Sequence, residues 1–309
     1  MLTIEIPFEM RNKRLDQVLA KLCPEYSRSQ LQRWIKSGNV TLNGKPVVAR
    51  YKTLGAEIFA IEPVDNEPLE DLPEDIPLDI MYEDEHIMVI NKTANLVVHP
   101  GAGNRTGTIV NGLLHHNAEQ KHLPRAGIVH RLDKDTTGLM VIAKSMKAHK
   151  SLVDQLQERS VKREYLALAQ GNVISGDTIE GNIGRHPVDR KKMAVVDGGK
   201  TAITHYRVER RFVGHTLLRV NLETGRTHQI RVHLSWKHYP IVGDTTYQGR
   251  PRIPKEVTVE AREAVQQFPR QALHATKLSL VHPDTAELMS WAVDMPADMY
   301  ALMDTLEEV

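Results

Sequence analysis

Near the start of the chain, apolar side chains recur with the period of a helix. They occupy positions i, i+3, i+4 and i+7 of one segment: Leu15, Val18, Leu19 and Leu22. This spacing puts all four on one face and predicts an amphipathic helix over residues 14–22. A second helix is predicted to begin at Ser27, which has capping-box spacing with Gln30. It should end at Gly38, since glycine suits a left-handed C-terminal cap.

The second helix has two chemically different faces. Its apolar positions are Leu31, Trp34 and Ile35, and its wetter side carries three basic residues: Arg28, Arg33 and Lys36. Residues 40–47 then have the pattern of a hairpin with an Asn-Gly turn. Two short helices and a hairpin with clustered basic residues fit an RNA-docking module. They fit a small basic α+β domain without a ligand equally well.

Residues 62–77 have the composition of an extended, self-repelling linker. Acidic residues surround four prolines: Pro63, Pro68, Pro73 and Pro77. Too few apolar side chains are present for this segment to pack. We therefore predict a small N-terminal domain over residues 1–62, a linker over 63–77 and a large domain over 78–309.

From residue 78 onward, short apolar runs with strand spacing alternate with helical segments. The predicted strands cover residues 87–90, 96–98, 128–132, 139–143, 164–169, 201–208, 217–222 and 278–281. A helix is predicted over residues 148–159, with Leu152, Val153 and Leu156 on one face. Connections between the later strands are too short for crossover helices, so we expect a mixed, largely antiparallel sheet in an α+β fold.

Charge is unevenly distributed along the chain. The 309 residues carry a formal net charge of +1, with 41% hydrophobic and 26% charged residues, as in ordinary globular proteins. Residues 1–62 carry +4, residues 63–85 carry −10 and residues 86–309 carry +7. Two basic modules joined by an acidic tether suit a polyanionic partner, although a solvated surface gives the same counts.

Several classes of protein do not fit the sequence. No run approaches the roughly 18 apolar residues of a membrane span, and no signal peptide is evident. The single cysteine, Cys23, cannot form an internal disulfide. His228 and His233 are badly spaced for a shared zinc ion, and no glycine-rich phosphate loop or dinucleotide motif occurs. We therefore expect a cytoplasmic protein with no metal or organic cofactor.

The segment 127–144 contains the first candidate for chemistry. Two apolar runs, 128–132 and 139–143, flank a polar turn that carries Asp133 and Asp135. The spacing predicts a strand, a turn and a second strand. A solvated turn would have the same composition, because Asp and Thr both suit turns.

A second candidate is Tyr165. In a strand over residues 162–169, this tyrosine shares a face with Ala167 and Ala169. A ring beside two small side chains leaves space that a planar base could occupy. A core tyrosine with a satisfied hydroxyl is an equally good interpretation.

The third candidate is Arg231. We predict a helix capped by Thr227, in which Arg231 lies on the same face as Ile230 and Leu234. A guanidinium on an apolar face must reach outward or find a carboxylate, because an unpaired buried charge is very unfavourable. Asp133 is the natural partner.

These segments together resemble a known family. His130-Arg131-Leu132-Asp133, followed by Thr136-Thr137-Gly138-Leu139, is similar to the signature of the RluA-type RNA pseudouridine synthases. The longer match through Lys134-Asp135 resembles the D-type large-subunit ribosomal RNA synthases of that family. The order Asp133, Tyr165, Arg231 matches its three motifs, and segments 240–244 and 270–275 extend the similarity.

The resemblance implies roles for individual residues. Asp133 would be the catalytic aspartate, in contact with Arg231, and Tyr165 would stack against the target uracil. Three further residues would bind the substrate: Arg131, which occupies space left by the flipped base, Ile230, which fills an apolar slot, and Arg226. Of two basic tracts, 159–163 and 185–192, the denser second one is the better phosphate contact. Its candidate RNA-binding residues are Arg190, Lys191 and Lys192.

The N-terminal module also has a resemblance. Arg14-Leu15-Asp16, Tyr26-Ser27-Arg28-Ser29 and Asn43-Gly44 are similar to the α-L RNA-binding fold of a ribosomal protein. The combined resemblance implies an enzyme that converts uridine to pseudouridine in large-subunit ribosomal RNA or the assembling subunit. Nothing in the sequence demands more than a monomer, so we expect one. Two alternatives remain: a synthase for transfer RNA or other ribosomal uridines, and a non-catalytic RNA-binding assembly factor.

Overall fold

The computed structural model describes residues 1–64, 71–101, 104–249 and 253–307. The chain forms two compact units, residues 1–70 and 71–309. The boundary between them falls inside the linker expected over residues 63–77, of which 65–70 lie outside the described residues. The remainder of that linker differs from the expectation. Asn111 donates to the carbonyl of Leu72 at 2.7 Å, and the carboxylate of Glu74 accepts from the N–H of Gly107 at 3.1 Å.

The first unit combines two helices with a small antiparallel sheet. Its elements are β1 (Leu2–Glu5), α1 (Leu15–Leu22), α2 (Arg28–Lys36), β2 (Val40–Leu42), β3 (Lys45–Pro46) and β4 (Ile58–Ile61). The strand order is β1-β4-β2-β3. Both predicted helices and the hairpin are confirmed, since Ser27 caps α2 and the turn residues Asn43 and Gly44 have φ angles of 52° and 72°. The apolar faces of the two helices are buried together with Phe59, except for Leu22, which is partly buried.

The second unit contains a large sheet and five helices in its described part. Its strands are β5 (Ile80–Glu83), β6 (Ile87–Lys92), β7 (Thr137–Ala143), β8 (Lys162–Gln170), β9 (Asp177–Glu180), β10 (Ile183–Arg185), β11 (Met193–Val195), β12 (Ile203–Phe212), β13 (His215–Leu222), β14 (Leu273–Val281) and β15 (Leu288–Ala292). Its α-helices are α3 (Ile109–His116), α4 (Met146–Gln157), α5 (Gln229–Trp236), α6 (Val259–Gln267) and α7 (Ala297–Asp304).

The large sheet is mixed and mostly antiparallel, as the sequence predicted. Its strands follow the order β5-β6-β7-β14-β8-β13-β12-β9, and β15 pairs with β14. Among the described pairings of this sheet, only β7 with β14 is parallel. Strands β10 and β11 form a separate hairpin. This arrangement brings β7, β8 and the segment before α5 to one region of the unit, where the candidate residues lie.

The sheet is covered on both faces because its central strands alternate between two cores. On β7, Leu139 and Val141 pack with Ala148 and Leu152 of α4. Met140, between them, faces the larger core on the other side, which also contains α3. The predicted helix over residues 148–159 is confirmed as α4, capped by the side chain of Ser145.

Two predicted strands are wrong. Residues 128–132 form a loop in which only Ile128 makes a bridge, to Ile142, and residues 96–98 contain only the bridge of Val97 with Thr108. In the first case, the N–H of Val141 donates to Nε2 of His130 at 3.1 Å. The side chain of His130 thus accepts a hydrogen bond that a backbone carbonyl of a neighbouring strand would otherwise accept. The segment therefore does not continue as a strand paired along β7.

Candidate active site

A cavity of about 520 Å³ opens on the second unit, and its lining brings together residues that lie far apart in the sequence. The loop before β7 contributes Arg131 and Asp133, strand β8 contributes Tyr165, and the segment through the start of α5 contributes Arg226 and Arg231. The three candidate segments, which are separated along the sequence, therefore meet at one opening.

Asp133 and Arg231 form the ion pair expected from the sequence. Nη1 of Arg231 donates to Oδ2 of Asp133 at 2.8 Å. The same guanidinium donates from Nε and Nη2 to both oxygens of Asp244, at 2.7 and 2.9 Å. Burial disfavours the charge of Arg231, but the hydrogen bonds and charges of the two aspartates outweigh it and raise its pKa. Asp244, which the sequence did not identify, is fully buried, whereas Asp133 reaches the cavity.

Helix α5 presents Arg231 to this cavity, but it does not begin as predicted. The cap position is His228, with a left-handed φ of 56°, not Thr227. The side chain of Gln229 explains the difference. Its Oε1 accepts from the hydroxyl of Thr224 and from the N–H of Arg226, and its Nε2 donates to the carbonyl of Ile203 on β12. Contacts between distant segments therefore define the start of this helix.

The loop that carries Asp133 is held by Lys92. This lysine is 2% exposed, and its Nζ donates to the carbonyls of Thr93, Leu96 and Lys134, at 2.7, 3.0 and 2.8 Å. Burial lowers the pKa of Lys92 to about 7, although the charges of Asp135 and Asp133 oppose that shift. Lys92 therefore ties the loop of Asp133 to the end of β6.

Tyr165 and Ile230 form apolar walls of the cavity. Both are nearly buried, and both line the opening beside Asp133. Burial raises the pKa of Tyr165, so its hydroxyl stays neutral at physiological pH. A planar ring and an aliphatic side chain beside a carboxylate would suit an aromatic ligand with a polar edge.

A histidine and a second tyrosine lie next to the ion pair. His228 has its Nε2 3.8 Å from Oδ1 of Asp133 and its Nδ1 2.8 Å from the hydroxyl of Tyr247. Burial lowers the pKa of His228. The guanidinium of Arg231 lies over the ring of Tyr247, 5.0 Å from its centroid. Tyr247 therefore contacts both Arg231 and His228, two side chains that lie beside the carboxylate of Asp133.

The cavity carries several cationic side chains. Arg131 and Arg226 are exposed at its lining, and Nε of Arg226 donates to the carbonyl of Thr201 at 3.0 Å. Arg159 forms an ion pair with Glu223 at 2.9 Å. Arg163 lines the cavity as well, but it is only 7% exposed. Within the basic tract 159–163, Arg163 is therefore not a solvated side chain, because β8 turns residue 163 to the same side as Tyr165.

The remaining candidate RNA-binding residues are not among those that line this cavity. Arg33 and Lys36 are exposed on α2 of the first unit. Arg28 is exposed too, but its Nη2 donates to the fully buried Asp16 at 2.7 Å. In the second unit, Arg190, Lys191 and Lys192 occupy the turn between β10 and β11; the first two are exposed, and Lys192 is half-buried.

Sequence analysis missed part of this site. The residues concerned are Lys92, Arg163, His228, Asp244 and Tyr247. A signal existed for Arg163, since its two-residue spacing from Tyr165 on a strand puts both on one face. Asp244 pairs with Arg231, 13 residues away, and Lys92 reaches the loop of Asp133 through Lys134, 42 residues away, so local spacing held no signal for either role. In the described ranges, no group of three or more His, Cys, Asp or Glu side chains could hold a metal ion. Among the helices that the structure describes, none has the length and apolar character needed to cross a membrane.

Comparison with protein-family models gives two matches. A model described as RNA pseudouridylate synthase matches residues 86–236, and one described as the S4 domain matches residues 13–52. The first covers Asp133, Tyr165 and Arg231, and the second covers both helices of the first unit.

Similar proteins extend these matches over nearly the whole chain. Ribosomal large subunit pseudouridine synthase D of Pseudomonas aeruginosa is 52% identical over 304 residues, covering 98% of this chain and 95% of the relative. The protein of that name from Escherichia coli K12 is 49% identical, with coverage of 99% and 94%. Human RNA Pseudouridylate Synthase Domain Containing 1 is a solved structure with a TM-score of 0.59 and 25% identity, covering 81% of this chain and 92% of that one. Human RNA Pseudouridylate Synthase Domain Containing 4 has a TM-score of 0.57 and 27% identity, with coverage of 74% and 93%.

Proposed function

This chain belongs to the RluA-type family of RNA pseudouridylate synthases, and from that membership we propose that it isomerises uridine in large-subunit ribosomal RNA, with Asp133 as the catalytic residue. The relatives that match nearly full length carry names that specify the ribosomal large subunit. The observation that carries the catalytic assignment is the carboxylate of Asp133, which reaches the cavity while Arg231 holds one of its oxygens at 2.8 Å.

The chemistry of uridine isomerisation explains why a cavity with a carboxylate at its opening would suit this reaction. Isomerisation breaks the bond between the ribose and N1 of uracil, turns the base and rejoins it through C5, which loses its proton. A stacked base cannot turn in place, so the uridine must flip into a pocket, at a cost of a few kcal/mol. Asp133 would act as an anion, either by attacking the sugar or by removing a proton from it. Both routes remain open.

The neighbouring residues would hold the flipped nucleotide. Tyr165 would stack on the uracil, and Ile230 would fill the apolar side of its pocket. The exposed Arg131 would occupy the space that the base leaves in the RNA, and Arg226 would bind the substrate at the rim. Arg231 would keep Asp133 charged and oriented, because its own position is held by Asp244.

Affinity for RNA would come from surfaces outside the cavity. The first unit contains an S4 domain, on which Arg33, Lys36 and part of Arg28 are exposed. Arg190, Lys191 and Lys192 would contact phosphates from the second unit. Binding through such residues should weaken as salt rises. We further propose that the protein works in the cytoplasm as a monomer, on ribosomal RNA or the assembling large subunit.

The decisive experiment is incubation of the purified full-length chain with unmodified RNA transcripts. Pseudouridine would be mapped in large-subunit ribosomal RNA, small-subunit ribosomal RNA and transfer RNA. We expect pseudouridine only in the large-subunit RNA, and none with Asp133→Asn. If pseudouridine forms only in transfer RNA or only in the small-subunit transcript, that RNA is the substrate and the proposed large-subunit substrate is wrong. A protein that binds RNA and forms no product in any transcript or in assembling subunits would be an assembly factor instead.

A further inference from the structure

Three arginines are buried in the described part of the chain, and their partners differ. Arg231 is held by two carboxylates, Asp133 and Asp244. Arg270 donates from Nε and Nη2 to both oxygens of Asp298, at 2.7 Å each. Arg163 is as buried as the other two, at 7% exposure, and no carboxylate of the described residues pairs with it.

The guanidinium of Arg163 is also poorly satisfied as a hydrogen-bond donor. Nη2 lies 3.4 Å from the carbonyl of Glu223, and the buried Nε finds no hydrogen-bond partner among the described residues. Burial lowers the pKa of Arg163, and the nearby charge of Arg226 lowers it further. A buried charge without a counter-ion is among the most unfavourable arrangements in a protein. The position therefore calls for an anion that the residues described by the structure do not supply.

The surroundings of Arg163 keep its guanidinium in place at the cavity. A β-carbon at position 225 would come within 2.8 Å of Nη1 of Arg163, so Gly225 lets the backbone pass close to the guanidinium. Arg163 and Tyr165 are two residues apart on β8, which separates them by roughly 7 Å on the same face. The guanidinium thus flanks the place where a base would stack on Tyr165.

We propose that Arg163 binds a phosphodiester group of the bound RNA, at a linkage adjoining the extruded uridine. This inference rests on the proposed function. Uracil and ribose are neutral, so the phosphodiester is the anion that a flipped nucleotide brings into the cavity. A guanidinium presents paired N–H donors that match phosphate oxygens. Arg226, exposed on the same lining, carries a second positive charge toward the same group.

The test replaces single phosphodiesters by neutral methylphosphonates. Once the target uridine is mapped, RNAs would be made with a neutral linkage on its 5′ side or its 3′ side. Single-turnover rates would be measured for the wild type and for Arg163→Gln. We expect one of the two linkages to slow the wild type by about tenfold to a hundredfold. Arg163→Gln should be slowed by a similar factor on natural RNA and should lose little more with the neutral linkage.

Two controls separate this role from a structural one. Arg207→Gln makes the same chemical change at an exposed site on β12 that does not line the cavity, and it should retain the wild-type sensitivity to the neutral linkage. Arg163→Lys keeps a positive charge and should remain sensitive to that linkage. If Arg163→Gln turns over too slowly, RNA binding would be compared between Asp133→Asn and Asp133→Asn with Arg163→Gln. The slope of log affinity against log salt should fall by about one.

Two results would overturn the inference while leaving the proposed function intact. One is a wild type that converts both neutral-linkage RNAs as fast as natural RNA. The other is an equal loss in the wild type and Arg163→Gln, with an unchanged salt slope. A wild type that forms no pseudouridine in natural RNA would overturn the proposed function and this inference with it.

Discussion

Nε and Nη2 of Arg231 donate to the two carboxylate oxygens of Asp244, at 2.7 and 2.9 Å, and this leaves Nη1 directed at Asp133. Asp244 in turn accepts from the backbone N–H groups of Thr246 and Tyr247, at 3.0 and 3.1 Å. The buried aspartate is therefore fixed by its own loop and fixes the arginine. Only the outer aspartate, Asp133, is left facing the cavity.

Asp244→Asn should reduce both stability and turnover. The substitution leaves Arg231 buried with one carboxylate in place of two and loosens the orientation of its guanidinium. We expect the free energy of unfolding to fall by about 3–5 kcal/mol. Denaturant unfolding and pseudouridine formation would be measured side by side. Asp154→Asn, on the exposed side of α4, is the matched control and should change neither. Full stability in Asp244→Asn would contradict the account of a buried pair.

Asp133→Asn should abolish turnover and spare the fold. Arg231 keeps Asp244 when Asp133 loses its charge, so no buried cation is left without a partner. We expect a rate at least about a thousandfold lower, with a free energy of unfolding within about 1 kcal/mol of the wild type. RNA binding, measured by filter retention, should persist. If an Asp133→Asn preparation free of wild-type enzyme forms appreciable pseudouridine, Asp133 is not the catalytic residue.

Tyr165→Phe and Tyr165→Leu should differ in activity, because only phenylalanine keeps a flat ring. Stacking of a base on an aromatic ring is worth about 1–3 kcal/mol. We therefore expect the leucine variant to be about 5-fold to 150-fold slower than the phenylalanine variant in single turnover. Both should fold, since each retains an apolar side chain at this buried position. Equal rates would argue against stacking on Tyr165.

His130 should make the protein less stable in acid. Its Nε2 accepts from the N–H of Val141, and burial lowers its pKa from 6.5 to about 3. Between these values the unfolded chain binds a proton that the folded chain does not, so the free energy of unfolding falls as pH decreases. The loss attributable to this residue is at most about 1.4 kcal/mol per pH unit below 6.5.

The variant His130→Gln isolates that contribution. Glutamine offers an oxygen to the N–H of Val141 but has no group that titrates in this range. Unfolding by urea would be followed from pH 7 to pH 5 for both proteins. The wild type should lose stability more steeply than the variant, whereas parallel curves would show that His130 does not titrate on unfolding.

The exposed basic residues of α2 should contribute to RNA affinity through charge. Arg33→Gln combined with Lys36→Gln should lower the slope of log affinity against log salt by about two. The N-terminal unit should remain folded, because Arg28, which holds the buried Asp16, is retained. Affinity would be measured at several salt concentrations, with Arg207→Gln as the control. An unchanged slope would place RNA binding on another surface.

Much of this protein follows from its sequence. The period of apolar residues located α1 and α2, the Asn-Gly pair located the hairpin, and alternation along β8 put Tyr165 on the face that lines the cavity. A chemical requirement identified the partner of Arg231 as well, because a guanidinium on an apolar face needs a carboxylate and Asp133 was the candidate of matching type. These inferences hold because each depends either on residue spacing within one element or on the chemistry of a single side chain, such as the requirement of a buried guanidinium for a counter-ion.

Tertiary structure alone decided the rest. Residues 128–132 have strand-like composition, yet they pair with β7 only through the bridge of Ile128, and the N–H of Val141 donates to the side chain of His130. Asp244 shares Arg231 with Asp133, and Arg163 lies beside the cavity with no carboxylate partner in the described part of the chain. Each of these outcomes depends on which distant groups reach hydrogen-bonding distance once the sheet is assembled. Hydrogen bonds and ion pairs act over a few ångströms in space, and spacing along the chain does not encode which distant residues come that close.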